Sequence, residues 1–443
     1  MTAHEIRPPR TEWDGFGFET RQVHVGDTEE HGYSARVSPI YLTAGYRFES
    51  MQNGWDRFTG ENPGQIYSRN LNPTHLVAEQ RIASLEGGTG AILVGSGQAA
   101  IVTTLLGLAG AGDHIVSTAT IYGGTQSIFA RTFPRLGVET TYVWDWTDED
   151  EWERAITPET KLLFTETIPN PRNDIVDIAA VARIAARHGL PLIVDNTVAS
   201  PYLTRPFEDG AHIVLHSSTK FLSGHGAGLS GAIVDGGNFD WANSSRSYPG
   251  ITEPAVPGGT SILEKHGPRA LEVYLRSTIV NDMGPALSPL NSFLLQQGIE
   301  TLSLRMDRHV ETTHRLAHWL AEQPEVARVD YAGLEGHPQH ELAQRVYRGR
   351  PGSVFAISLA GGRDAAEVFY DSLRIFSRMT HIGDTRSMIL HPATTTHVGF
   401  SQEHRDRLGV DDGLLRLSVG LETADDLIAD LRQAFDAVRD AGL

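Results

Sequence analysis

The chain has no cysteine among its 443 residues. Disulfides, thiolate metal sites and a cysteine nucleophile are therefore excluded. It also lacks any uninterrupted apolar run near the roughly 20 residues that a membrane helix needs. The first stretch, MTAHEIRPPRTEWDGFGFET, is polar and has no apolar core of a secretory signal. These absences make the cytoplasm the expected location. An excess of cations is missing too, because the formal net charge is -18. Nucleic acid and anionic membranes both call for a Lys/Arg surface, so neither is an expected partner. A negative surface serves solubility and does not keep anions from a locally positive pocket. No internal repeat or low-complexity tract interrupts the chain.

What is present is a rhythm of short apolar runs and helical stretches. Residues 1–60 are rich in Gly, Pro and aromatics with little periodicity, and read as an arm that must lie on something. From about residue 75 a helical stretch, HLVAEQRIASLEG, stops at Gly87 and Gly88. The runs AILVGS, HIVSTAT, TTYVW, KLLFTET, PLIVDNT, HIVLHSS and LSGAIVD follow, with the amphipathic IAAVARIAARHG between the fourth and fifth. Apolar runs of this length separated by helices predict βαβ units and a parallel sheet buried on both faces. A Gly/Ser/Pro-rich loop is expected over 236–262, and a long helical region after it to about 322. VARVDYAG, SVFAISLAG, AAEVFYDSL, RSMILHP, LLRLSVGLE and ADDLIADLRQAFDAVRD then indicate a smaller α/β unit. The expected division is an arm over 1–60, a large domain over 61–290 and a small domain over 291–443.

Six places carry the chemistry. HSSTKFLSGHG sets Lys220 after an apolar strand, among small and hydroxyl residues. Burial there disfavours the ammonium and makes the amine a better nucleophile toward an aldehyde. Ser217 and Thr219 are hydroxyls suited to a phosphate. The alternative is an ordinary lysine snorkelling at a strand end. PLIVDNT sets Asp195 at another strand end, where a carboxylate must be paired. Its partner is either an arginine of the fold or the protonated nitrogen of a pyridine cofactor, an electron sink. AILVGSGQAA runs a strand through Gly97 and Gln98 into a helix, which makes an anion cradle. It has neither GxGxxG nor GxxxxGK[ST] spacing, so a dinucleotide or P-loop reading is weak. Tyr122 in IYGGTQ can stack on a planar ring or simply sit at the surface. Tyr67 and Arg69 in GQIYSRN are surface residues or a pair that reaches a phosphate. Arg416 lies inside an apolar strand and needs a carboxylate, from the fold or from a substrate.

Taken together and in this order, these segments resemble the trans-sulfuration (Cys/Met metabolism) family of enzymes dependent on pyridoxal 5'-phosphate. The resemblance runs from TRQVHVG near residue 20 to RLSVGLE near 420. It implies an α/β fold of PLP-dependent transferase type I (aspartate-aminotransferase-like). That fold has a large domain with a mostly parallel seven-stranded sheet, plus a smaller C-terminal α/β domain. Lys220 then matches the Schiff-base lysine and Asp195 the partner of the ring nitrogen. Tyr122 matches the stacking residue. Gly97, Gln98, Ser217 and Thr219 match the phosphate cradle. Tyr67 and Arg69 match a pair that reaches the neighbouring subunit's phosphate. Asn170 matches the residue near the phenolic oxygen and the substrate, and Arg416 the anchor of the substrate carboxylate. The implied assembly is a homotetramer, a dimer of dimers with shared active sites.

Within the family, the chain length, YPGITEP, ETIPNPRNDIVDI, GIETLSLRM and IGDTRSMILHPATTTH resemble the O-acetylhomoserine sulfhydrylases. The implied reaction is γ-replacement on O-acetyl-L-homoserine by sulfide or a small thiol, giving homocysteine or methionine and acetate. His381 departs from the asparagine usual in that subgroup, at a position near the substrate carboxylate. Cystathionine γ-synthase, O-succinylhomoserine sulfhydrylase and methionine γ-lyase share the cofactor residues. The last commonly relies on a cysteine that this chain lacks. A metal-dependent hydrolase is the competing class, suggested by 19 histidines including His212, His216, His225, His391 and His397. No HExxH or similar ligand spacing supports it, and no metal is expected.

Overall fold

A computed structural model describes Trp13 and residues 15–27, 34–62 and 64–443. The polar N-terminal stretch read above lies mostly outside the described residues. The apolar runs form seven strands: β1 (Gly90–Val94), β2 (His114–Thr118), β3 (Glu139–Val143), β4 (Thr160–Glu166), β5 (Leu192–Asp195), β6 (Ile213–His216) and β7 (Gly231–Asp235). Their order across the sheet is β1-β7-β6-β5-β4-β2-β3. Only β7 runs against its neighbours. The mostly parallel seven-stranded sheet is therefore as expected.

Alternation along each strand feeds two cores. Leu93, Leu163, Val194 and Val214 point to one face, with the helices Pro73–Glu86 and Ile178–Arg187. Ile92, Leu162, Ile193 and Leu215 point to the other, with the helices Gly97–Leu108 and Ala270–Leu275. A period of two with both faces covered is why these strands read as unbroken apolar runs. Local signals agree at the helix ends. Asn72 caps Pro73–Glu86 by accepting from Thr74 N at 2.9 Å, and Gly87 closes it in the left-handed region at φ 87°.

Five further strands form a second sheet: β8 (Val326–Asp330), β9 (Val354–Leu359), β10 (Ser377–Arg378), β11 (Met388–Leu390) and β12 (Leu414–Ser418), in the order β10-β11-β12-β9-β8. The helices Gly362–Ser372 and Ala424–Asp440 pack a phenylalanine-rich core against it, with Phe355, Phe369 and Phe435 fully buried. The helix Leu302–Ala321 links the two units. Its start (Leu302, Met306) lies in a core of the large sheet, and its end (Leu316, Leu320) in the core of the small one.

The helical region expected after residue 262 to about 322 is helical but interrupted: short pieces to Met283 are followed by the longer helices Pro289–Ile299 and Leu302–Ala321. Gly267 and Gly284 adopt positive φ (53° and 67°), and Pro289 opens a new helix. Positive φ ends a helix that sequence periodicity alone would carry through. The short β10 and the helix His340–Tyr347 carry too little pattern to be read from sequence.

Candidate active site

Parallel strands point their carboxyl ends to one edge of the sheet, and the polar residues that follow them meet there. Glu166 ends β4, Asp195 ends β5, and His216 ends β6 and leads into Ser217–Lys220. The turn after β1 brings Ser96 and the start of the helix Gly97–Leu108. The turn after β2 brings Tyr122. From the second sheet, β12 brings Arg416. Glu166, Asp195, Ser217, Thr219, Lys220, Ser96, Tyr122 and Arg416 line one cleft of about 240 Å³.

Lys220 sits in a tight turn, where its N–H donates to Ser217 O at 3.0 Å and its carbonyl accepts from Gly224 N at 2.7 Å. Burial, helped by the Arg416 charge, pulls its amine down to about 8. Its Nζ lies 2.8 Å from His381 Nδ1. That imidazole is held neutral, down to about 4, by burial and then by the Lys220 charge. It is therefore an acceptor for the amine, with its proton on Nε2.

At the start of the helix Gly97–Leu108, which lines the cleft, Ala99 N donates to the Ser96 hydroxyl at 3.1 Å, and the N–H groups of Gly97 and Gln98 have no partner among the described residues. Gly97 is required at this position. A Cβ there would stand 2.6 Å from Ser217 Cβ, so only glycine lets the helix end meet the lysine turn. Gln98 Oε1 is buried without a partner. Ser217 lines the cleft, and its N–H donates to Thr197 Oγ1 at 2.8 Å. The Thr219 hydroxyl also lines the cleft, but it already donates to Ser230 O at 3.1 Å and accepts from Ser230 N at 3.0 Å.

Asp195 Oδ1 accepts from Thr197 N at 2.9 Å and from the Thr197 hydroxyl. Its other oxygen has no side-chain or backbone donor among the described residues. Burial raises its carboxyl above the usual carboxylate range. Glu166, its register partner on β4, accepts Tyr122 N at 2.6 Å and is raised further. The Tyr122 ring is half exposed at the cleft. A Cβ on Gly124 would stand 2.4 Å from that ring, so glycine at 124 makes room for it.

Arg416 is 4 % exposed, yet no carboxylate pairs with it among the described residues. Its guanidinium donates to Asn170 Oδ1 at 3.3 Å and to the carbonyls of Thr380 at 3.2 Å and His381 at 3.0 Å, and its Nε is unpartnered. Burial lowers it to about 10. A buried cation held by neutral groups calls for an anion.

Of the residues singled out in the sequence, Lys220, Asp195, Tyr122, Gly97, Gln98, Ser217, Thr219, Asn170 and Arg416 come together in this cleft. His381 reaches it through Lys220. Tyr67 and Arg69 do not reach it. Tyr67 is 46 % exposed, and Arg69 lies over its ring at 5.4 Å. Glu166 and Thr197 belong to the cleft but escaped the sequence reading. Their signals were a glutamate closing the KLLFTE run and a threonine two residues after Asp195. Among the described residues, no group of three or more His, Asp or Glu could hold a metal ion, and no helix is long and apolar enough to cross a membrane.

The donor set fits pyridoxal phosphate. It offers an anion cradle that only glycine permits, a free carboxylate oxygen at a strand end, a half-exposed aromatic ring and a lysine of lowered basicity. Fold and cleft thus define the class, a fold-type-I enzyme built for this cofactor. The model of the Cys/Met metabolism PLP-dependent enzymes matches residues 19–436, and the chain belongs to that family. It is 42 % identical over 429 residues to the O-acetyl-L-homoserine sulfhydrylase of Corynebacterium glutamicum, covering 96 % of this chain and 98 % of that one. It is 44 % identical to O-acetyl-L-homoserine sulfhydrylase 1 of Thermus thermophilus, with 94 % and 99 % covered. A crystal structure of the O-acetylhomoserine (thiol)-lyase of Campylobacter jejuni superposes with a TM-score of 0.91 at 34 % identity, covering 95 % of this chain and all of that one. It carries N'-pyridoxyl-lysine-5'-monophosphate.

Proposed function

We propose that this enzyme replaces the γ-acetoxy group of O-acetyl-L-homoserine with sulfide, releasing L-homocysteine and acetate. The observation that carries the reading is Arg416, buried and unpaired in the same cleft as the low-basicity Lys220. An amino-acid substrate supplies the missing carboxylate there and sets its α-carbon near the lysine. Among the described residues lining the cleft, Lys220 and Arg416 are the only cations. A succinyl ester would bring a second carboxylate with no further cation among the described residues lining the cleft to receive it, which favours the acetyl ester. The near full-length relatives of that activity support the same choice.

Asp195 would hold the ring nitrogen, Tyr122 the ring face, Asn170 the phenolic side, and Gly97, Gln98, Ser217 and Thr219 the phosphate. When bound, pyridoxal phosphate supplies an aldehyde for Lys220 and an electron sink for the carbanion at the substrate α-carbon. Arg416 fixes the carboxylate and so decides which bond at the α-carbon is presented for cleavage. Lys220 takes the α-proton at Nζ and carries the β-proton in turn. Asp195 keeps a negative charge opposite the ring nitrogen. Acetate leaves the γ-carbon, sulfide forms the new C–S bond there, and Lys220 returns the protons. Methanethiol in place of sulfide would give methionine.

Tyr67 and Arg69, remote from their own cleft, are assigned to the phosphate of a neighbouring protomer. Leu42, Met51, Trp55 and Phe58, exposed by 63–94 %, support an arm that lies on that neighbour. The assembly is a homotetramer of two such dimers, and the location is the cytoplasm. Product analysis tests the activity, with the acetyl and succinyl esters each offered sulfide and then cysteine. Fast homocysteine from the acetyl ester and sulfide bears it out. Cystathionine as the main product, or preference for the succinyl ester, rejects it.

A further inference from the structure

Glu166 and Asp195 end neighbouring parallel strands in direct register, so their Cα atoms lie about 4.8 Å apart. Both line the cleft, and neither forms an ion pair with a side chain among the described residues. The Asp195 carboxylate is satisfied as an anion, since one oxygen takes two donors from Thr197. Glu166 receives a single backbone donor, Tyr122 N at 2.6 Å, and its second oxygen has no partner among the described residues. The hydroxyls of Thr118 and Thr165 bond each other at 3.0 Å, and Thr165 also donates to the Glu166 backbone carbonyl at 3.5 Å, so neither bonds the Glu166 carboxyl. The cations lining the same cleft are Lys220 and Arg416, and His216, at the end of the strand beside β5, favours the ionised form of Asp195. Two like charges side by side in a buried site are not both retained, and the better-solvated one keeps its charge.

We propose that the pair carries one negative charge, on Asp195, and that Glu166 is a neutral carboxylic acid. Its carbonyl oxygen anchors the Tyr122 N–H, and its O–H is a donor presented to the cleft. Glu166 is thus a positioning residue. It sets the start of the Tyr122 segment, and it leaves a single carboxylate charge to match a single ring-nitrogen charge. Burial and the Asp195 charge both raise the Glu166 carboxyl, in agreement with this assignment.

The test is infrared spectroscopy of the cofactor-free enzyme at neutral pH, comparing the wild type with Glu166→Gln and Asp195→Asn. It needs neither substrate nor turnover, so its outcome is independent of the reaction proposed above. The expected result is a protonated-carboxyl band that loses one group's intensity in Glu166→Gln relative to wild type, over the contribution of the buried Asp235, which is raised to about 7. A band unchanged in Glu166→Gln overturns the proposal, as does a loss confined to Asp195→Asn. Cofactor titration gives a second reading. Glutamine keeps the acceptor for Tyr122 N–H, so Glu166→Gln should hold pyridoxal phosphate within about fivefold of wild type. Glu166→Ala leaves that N–H unpaired and should lose about tenfold or more. Equal losses in both variants would show that the ionised carboxylate was needed. Thermal melts extend the test. A raised carboxyl contributes stability that is fully present below its unfolded-state pKa and is lost as pH rises from there through its folded-state pKa. Glu166→Gln should lack that decline, and a decline equal to wild type would contradict the assignment.

Discussion

The carboxyl edge of the large sheet and the segment around Tyr67 are both sources of active-site residues, yet they behave oppositely in a single chain. At the sheet edge, three adjacent strands, β4, β5 and β6, deliver Glu166, Asp195 and Lys220 to one cleft. Those groups are buried, and the ionisation of each is displaced by its surroundings. The Tyr67–Arg69 segment is exposed, and its charge and ring face each other. Backbone hydrogen bonds fix where a strand end points. An exposed loop acquires its place only from what it packs on. The first region is therefore complete within one protomer, and the second is assigned to another.

The largest effect should come from the complete half. Lys220→Ala should remove the visible absorbance of the bound cofactor. It should also cut turnover by about 10²–10⁴, the range for losing a positioned acid–base group, as read by absorbance and steady-state assay. Arg416→Ala should come next. Loss of a buried charge that pairs an anion costs about 2–5 kcal/mol. The expected fall in kcat/KM is about thirtyfold or more, with the cofactor spectrum retained. A loss of cofactor instead would move Arg416 out of substrate binding.

The incomplete half is tested by mixing protomers. Lys220→Ala and Arg69→Ala chains are each impaired alone. If sites are shared, random pairing restores about a quarter of wild-type activity, because half the dimers carry one intact site. No recovery would return Tyr67 and Arg69 to the surface. A smaller effect is expected at His381. Asparagine places an amide oxygen near the position of Nδ1, so His381→Asn should stay near wild type. His381→Ala should lose about tenfold in kcat as the Lys220 amine loses its acceptor.

The finest distinction is in pH. Loading of the cofactor-free enzyme needs the neutral Lys220 amine. Its rate should rise with pH and level off above about 8. An exposed lysine would still be gaining two units higher. Arg416→Met removes a positive charge that disfavours the ammonium, so it should shift this midpoint upward. A shift downward would contradict the electrostatic cause.

The sequence by itself determined the seven strands of the large sheet, because strands buried on both faces must be apolar throughout. It also determined which residue types stand at their ends. Lys220, Asp195 and Arg416 stand out because a charge in an apolar run has few explanations. The breaks at Gly267 and Gly284 were decided by backbone geometry that periodicity does not encode. Only the tertiary structure decided that Glu166 stands beside Asp195. The two lie 29 positions apart, and strand order, not spacing, makes them neighbours. The same holds for His381 against Lys220, joined across 161 positions by the docking of one sheet on the other. A chain can state which groups it buries. Which groups then meet, and so which of them keeps its charge, is settled when the strands pair and the two sheets close on one cleft.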